Sequence, residues 1–136
     1  MKSKALLATL LISQQTLAVD LVCQYMREDG SGFGEKDFLR LDANEKTSKH
    51  WAEYIYFDKT MSLTEYPTRE MIVKDYTLEL ELGNNLTSYL SRDDLVLLKG
   101  LNTKECRITD DLDWTVKALK EVAEKNNEEM LKRRKI

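Results

Sequence analysis

The chain has 136 residues, with 21 Lys plus Arg against 24 Asp plus Glu and a single His. Its length suits one domain, because two separate cores would each be too small to bury enough apolar surface. At 42% hydrophobic and 33% charged residues it is neither collagen-like nor disordered throughout, and a formal charge of −3 gives the body of the protein no electrostatic basis for holding nucleic acid.

The first eighteen residues read as an address. Lys2 and Lys4 form a positive n-region, Ala5 to Ile12 is small and apolar apart from Thr9, and Thr16-Leu17-Ala18 puts small residues three and one before a cut. That is the three-part pattern of a secretory signal peptide, and its apolar run is far short of the roughly twenty residues a membrane span needs. The alternative is a buried N-terminal helix or strand. Cleavage after Ala18 leaves about 118 residues and moves the net charge from −3 to −5, in a secreted or periplasmic protein.

The two cysteines exclude a disulfide-dense mini-protein and a four-cysteine zinc site. In an oxidising compartment Cys23 and Cys106 are expected to pair, tying the first strand to the end of the β region. The chain-entropy model assigns so long a loop about 4–5 kcal/mol, as an upper estimate. The other readings are two free thiols or a catalytic Cys; with one His and no nearby CxxC, neither has support.

From Leu21 to Ile108 the period is mostly two. Leu21 to Met26 suits a first strand, and Phe38 to Asp42 gives a second with Leu39 and Leu41 inward. Asp42 to Lys49 is a polar turn, Trp51 to Phe57 is aromatic-rich and strand-prone, and Met71-Ile72-Val73 is a short apolar run ending in β-branched residues. The clearest alternation puts Tyr76, Leu78, Leu80 and Leu82 on one face, with Thr77, Glu79 and Glu81 on the other. Gly83-Asn84-Asn85 then predicts a tight hairpin, Leu86 to Ser91 returns, and Arg92-Asp93-Asp94 turns into Leu95 to Lys99. Gly100-Leu101-Asn102 leads into the Cys106 strand. The expectation is a mainly β fold, a small antiparallel barrel or sandwich of seven to eight strands over residues 19–109. The absence of βαβ alternation excludes a doubly wound nucleotide-binding sheet.

After Cys106 the period changes. Asp110 can cap a helix, Asp111 and Asp113 place negative charge in its first turn, and Leu112, Val116, Leu119 and Ala123 recur at helical spacing. Trp114 sits off that stripe. The distal part of 110–136 is expected as a solvated helix or a frayed tail, with Lys132 to Lys135 complementing the helix dipole.

No catalytic set assembles from these residues. Gly30-Ser31-Gly32-Phe33-Gly34 joins two strands instead of feeding a helix N-terminus, so it reads as a hairpin loop and not a phosphate cradle. His50, beside Trp51 at a strand start, reads as a surface residue without a GxSxG elbow or catalytic-Cys context. Asp110, Asp111 and Asp113 lack EF-hand spacing, and nothing implies a metal or another cofactor. Tyr25, Trp51, Tyr54, Tyr56, Phe57, Tyr76 and Tyr89 fall in predicted strands and are expected mostly in the core. The loops 30–34 and 66–69 are the expected contact segments, with Ser31, Phe33, Tyr66 and Arg69 as contact residues.

A signal segment, Cys23 in the first strand, a hairpin spanning Tyr89 to Leu95 and Cys106 in the last strand together resemble small exported bacterial and phage β-barrel proteins. The architecture is broadly similar to the periplasmic inhibitors of C-type lysozyme. Over Val19 to Ile108 that resemblance implies an eight-stranded barrel with a stapling disulfide. It does not extend to the Ser-Gly-containing segments with which those inhibitors enter the lysozyme cleft. The expected function is a non-enzymatic exported domain that binds another protein or envelope component, with no nucleic acid and no membrane span. A small apolar-ligand carrier using the barrel interior is the alternative.

Overall fold

A computed structural model of the chain describes residues 18–83 and 85–135, so the expected signal segment lies outside the described residues except for Ala18. Among the described residues ten strands precede one helix: β1 (Ala18–Met26), β2 (Gly32–Asp42), β3 (Thr47–Ile55), β4 (Met61–Glu65), β5 (Arg69–Glu70), β6 (Ile72–Val73), β7 (Thr77–Leu82), β8 (Leu86–Ser91), β9 (Val96–Lys99), β10 (Asn102–Ile108) and α1 (Leu112–Lys132). All pairings are antiparallel, in the order β4-β3-β2-β1-β10-β9-β8-β7-β6. The mainly β fold with a C-terminal helix is as expected; the strand count is higher than seven to eight. The extra strands come from the run after β4, which is broken into two-residue pieces. β5 pairs with β3 and β6 pairs with β7, so residues 69–73 bring the two ends of the curled sheet together around the buried Met71.

Antiparallel order sorts the turns. The β1–β2, β3–β4, β7–β8 and β9–β10 hairpins lie at one end of the barrel-like sheet, here the hairpin end. The opposite end, where β10 hands over to α1, is the mouth. Cys23 and Cys106 face each other directly in the β1–β10 register and are joined by a disulfide, with Cα atoms 4.0 Å apart.

The helix explains why β1 to β3 are buried on both faces. Leu112, Val116 and Leu119 lie on Val22, Phe38 and Trp51, forming a second cluster outside the sheet. Asp111, not Asp110, holds the N-cap, and its carboxylate meets the Thr109 hydroxyl instead of a helix N–H. Arg40 then links the helix start to the sheet, bonding Asp20 at 2.8 and 2.9 Å and Asp113 at 3.1 Å. The distal half is helical to Lys132 because it is tied at a strand edge. Asn127 accepts the Met61 N–H (2.9 Å) and donates to the Met61 carbonyl (2.7 Å), as a neighbouring strand would, while Asn126 donates to the Lys59 carbonyl (3.1 Å). An edge whose backbone groups are taken up in this way no longer templates another strand.

Candidate functional site

Inside the sheet the side chains are segregated by chemistry. From the mouth to mid-sheet, Leu21, Leu39, Leu41, Leu78, Leu80, Leu90 and Leu97 pack with Met71 and the disulfide, and Leu82 carries this cluster to the hairpin end of β7. Toward the hairpin end the interior is ionic. Asp37, directly between Cys23 and Ala52 in the sheet register, is 1% exposed and His50 is 3% exposed. His50 therefore lies in the interior and not on the surface. The strand is buried on both faces, so its place beside Trp51 gave no warning.

Asp37 collects three donors. His50 Nε2 lies 2.6 Å from Oδ1, Lys99 Nζ donates to Oδ1 at 3.0 Å, and Lys104 Nζ donates to Oδ2 at 2.8 Å. Burial by itself pushes this carboxyl upward; the His50 hydrogen bond and the two ammonium groups outweigh it and hold Asp37 far below the ordinary carboxylate range. The backbone N–H of Gly83 donates to His50 Nδ1 at 3.1 Å. A backbone N–H can only donate, so Nδ1 keeps its lone pair and Nε2 carries the proton toward Asp37.

An Asp–His pair is two thirds of a hydrolytic triad, but here the nucleophile's place on the imidazole is taken by the Gly83 N–H. While that bond holds, neither ring nitrogen is free to accept a proton from a hydroxyl or thiol. What the cluster does is fasten β2, β3, β9, β10 and the β7–β8 turn to one another. Tyr66, carried inward between β4 and β5, stacks on His50 at 5.2 Å and shares a 2.8 Å hydrogen bond between phenol oxygens with Tyr54. Burial first, then that bond and the nearby carboxylates, push the Tyr54 phenol above its ordinary value. Gly83 has a positive φ of 55°, and a Cβ there would meet both phenols within 4.0 Å.

From this cluster a ladder of rings and cations runs out to the hairpin end. Lys104 Nζ lies 4.7 Å from the Tyr25 ring, Tyr25 stacks on Phe33 at 5.6 Å, and Arg27 covers Phe33 at 4.8 Å. The glycine loop serves this stack. Gly34 has φ 76°, and a Cβ on it would lie 3.1 Å from the Tyr25 ring. Ser31 is exposed and bonded to Asp29. Phe57 and Leu101, at the tips of the β3–β4 and β9–β10 hairpins, are fully exposed.

Of the four residues singled out as contacts, Ser31 and Phe33 sit at the hairpin end. Tyr66 and Arg69 lie on the seam that joins β3 to β7, and a buried nitrogen of Arg69 has no hydrogen-bond partner. Four aromatics expected in the core, Tyr56, Phe57, Tyr76 and Tyr89, are exposed. Phe57 and Leu101 were the residues sequence reasoning missed; their only signal was an apolar residue inside a turn, Phe57 before Asp58 and Leu101 after Gly100. Among the described residues no group of three or more His, Cys, Asp or Glu is placed to hold a metal, and no helix is long and apolar enough to cross a membrane.

Comparison with known protein families, curated proteins and solved structures finds no match.

Proposed function

We propose that this is an exported, non-enzymatic binding domain that docks another protein on its hairpin end. The observation that carries the reading is the exposure of Phe57 and Leu101 at two hairpin tips on the same end of the sheet, with Phe33 half-exposed on a third hairpin between them. Large apolar side chains at loop tips cost solubility, and a rigid scaffold presenting them suits recognition. Rigidity here comes from the Cys23–Cys106 bridge and from the saturated Asp37 cluster directly beneath. Export is supported by the bridge, which persists in oxidising compartments, and by the n-region, apolar run and small residues before Val19.

The test is recovery of a partner from periplasmic or secreted material by the wild-type chain and by a Phe57→Ser, Leu101→Ser double variant. The wild type should enrich a protein that the double variant loses, with thermal stability unchanged because both side chains are already in water. A chain that enriches nothing, or a partner retained fully by the double variant, removes the reading. N-terminal sequencing of exported protein should begin at Val19; finding Met1 ends the export argument.

A further inference from the structure

The mouth holds a second feature, unconnected with the hairpin end. A cavity of about 160 Å³ opens there between β1, β2, β7 and the β8–β9 turn, walled by Val19, Leu21, Leu41, Leu78, Leu90 and Leu95. We infer that this mouth is a binding site for the hydrocarbon end of an aliphatic carboxylate whose head is held by Arg92.

The chemistry of the wall selects the tail. Val19 and Leu95 form the open part of the wall and the buried Leu21, Leu41, Leu78 and Leu90 its floor, and among the described residues no carboxylate lines it. The volume is below the roughly 300–1,000 Å³ of sites that enclose a whole small molecule, so the fit is to the end of one chain. The interior beneath is packed with leucines, so the tail is held at the mouth and goes no deeper.

Arg92 selects the head. Among the described residues it is the one cation lining the cavity, and one of its guanidinium nitrogens donates to the Lys74 carbonyl at 2.7 Å, which fixes the side chain across the rim and leaves other N–H groups to bind a carboxylate. Its neighbour Asp94 turns back onto the Val96 N–H at 3.4 Å and does not neutralise it. Leu95 adds an independent mark. It stands at φ 56°, in the left-handed region a leucine rarely adopts, and this backbone turn helps form the cavity wall.

The test uses the disulfide-bonded protein, titrated with decanoate, decanol or acetate while leucine methyl resonances are followed. Decanoate should saturate with shifts confined to the methyls of the mouth, decanol should bind more weakly at the same methyls, and acetate should produce no such shifts. Arg92→Gln should weaken decanoate about fivefold, the range of an exposed ion pair, leave decanol unchanged, and be rescued by Arg92→Lys. Ala43 is exposed on the cavity rim, so Ala43→Trp should fold normally and block both long-chain ligands. Decanoate shifts spread over the surface, no saturation, or equal decanoate affinity in wild type, Arg92→Gln and Ala43→Trp would overturn the inference. None of these residues lies at the hairpin end, so failure here and failure of partner docking are separate results.

Discussion

The two halves of the sheet interior are built on opposite principles. The mouth half is aliphatic, and each leucine contributes through the area it removes from water. The hairpin half buries a carboxylate, an imidazole and the Lys104 ammonium, with the Lys99 ammonium part-buried beside them, and their removal from water costs more than their attraction alone returns. It holds because both oxygens of Asp37 and both nitrogens of His50 are engaged. Packed leucines tolerate small changes of register, whereas a carboxylate with three fixed donors does not. The ionic half therefore specifies which strands meet, and the aliphatic half supplies most of the driving force.

Breaking the ionic half should have the largest effect. Asp37→Ala leaves Lys99 and Lys104 without their counter-charge and His50 without its acceptor, with an expected loss of about 3–5 kcal/mol in urea unfolding. Leu39→Ala, the matching truncation in the aliphatic half, should cost about 2–5 kcal/mol, set by how far the surroundings collapse. An Asp37→Ala loss well below that of Leu39→Ala would reverse the assignment of roles.

Acid separates the halves without mutation. A carboxyl whose folded value lies below its unfolded value adds stability that is fully present above the unfolded value, about 3.8 for Asp, and is lost as pH falls from there toward the depressed folded value. The urea midpoint should therefore fall below about pH 4, and Asp37→Asn should flatten that part of the profile. The smallest effect is expected outside both halves. Asn127→Ala removes the amide that occupies the β4 edge, costing about 1–2 kcal/mol, and hydrogen exchange should show faster opening of Met61 and of the distal turns of α1.

How much of this was legible varied with the number of covered faces. β7 has one wet face, and there the alternation of Leu78, Leu80 and Leu82 against Glu79 and Glu81 reads directly. Tyr76, placed on the same face by periodicity, lies one residue before the strand begins and is exposed. In β2 and β3 both Phe38 and Leu39, and both His50 and Trp51, are buried, since the curled sheet covers one face and α1 the other. Alternation then says only that two faces exist. The Asp37 cluster was invisible for a related reason: its members are 5 to 67 positions apart, and each alone reads as an ordinary surface residue.

Local chemistry was enough to determine the strand rhythm, the presence of a cysteine in each of the first and last strands, and the amphipathic stripe from Leu112 to Ala123, because each depends on spacing along a short stretch of chain. Tertiary structure alone decided that His50 turns inward, that Asn127 completes a strand edge, and that Phe57 and Leu101 share one end while Leu95 and Arg92 share the other. Those outcomes depend on which distant surface covers a given side chain and on the direction each strand takes around the sheet, and neither is written in any local window of residues.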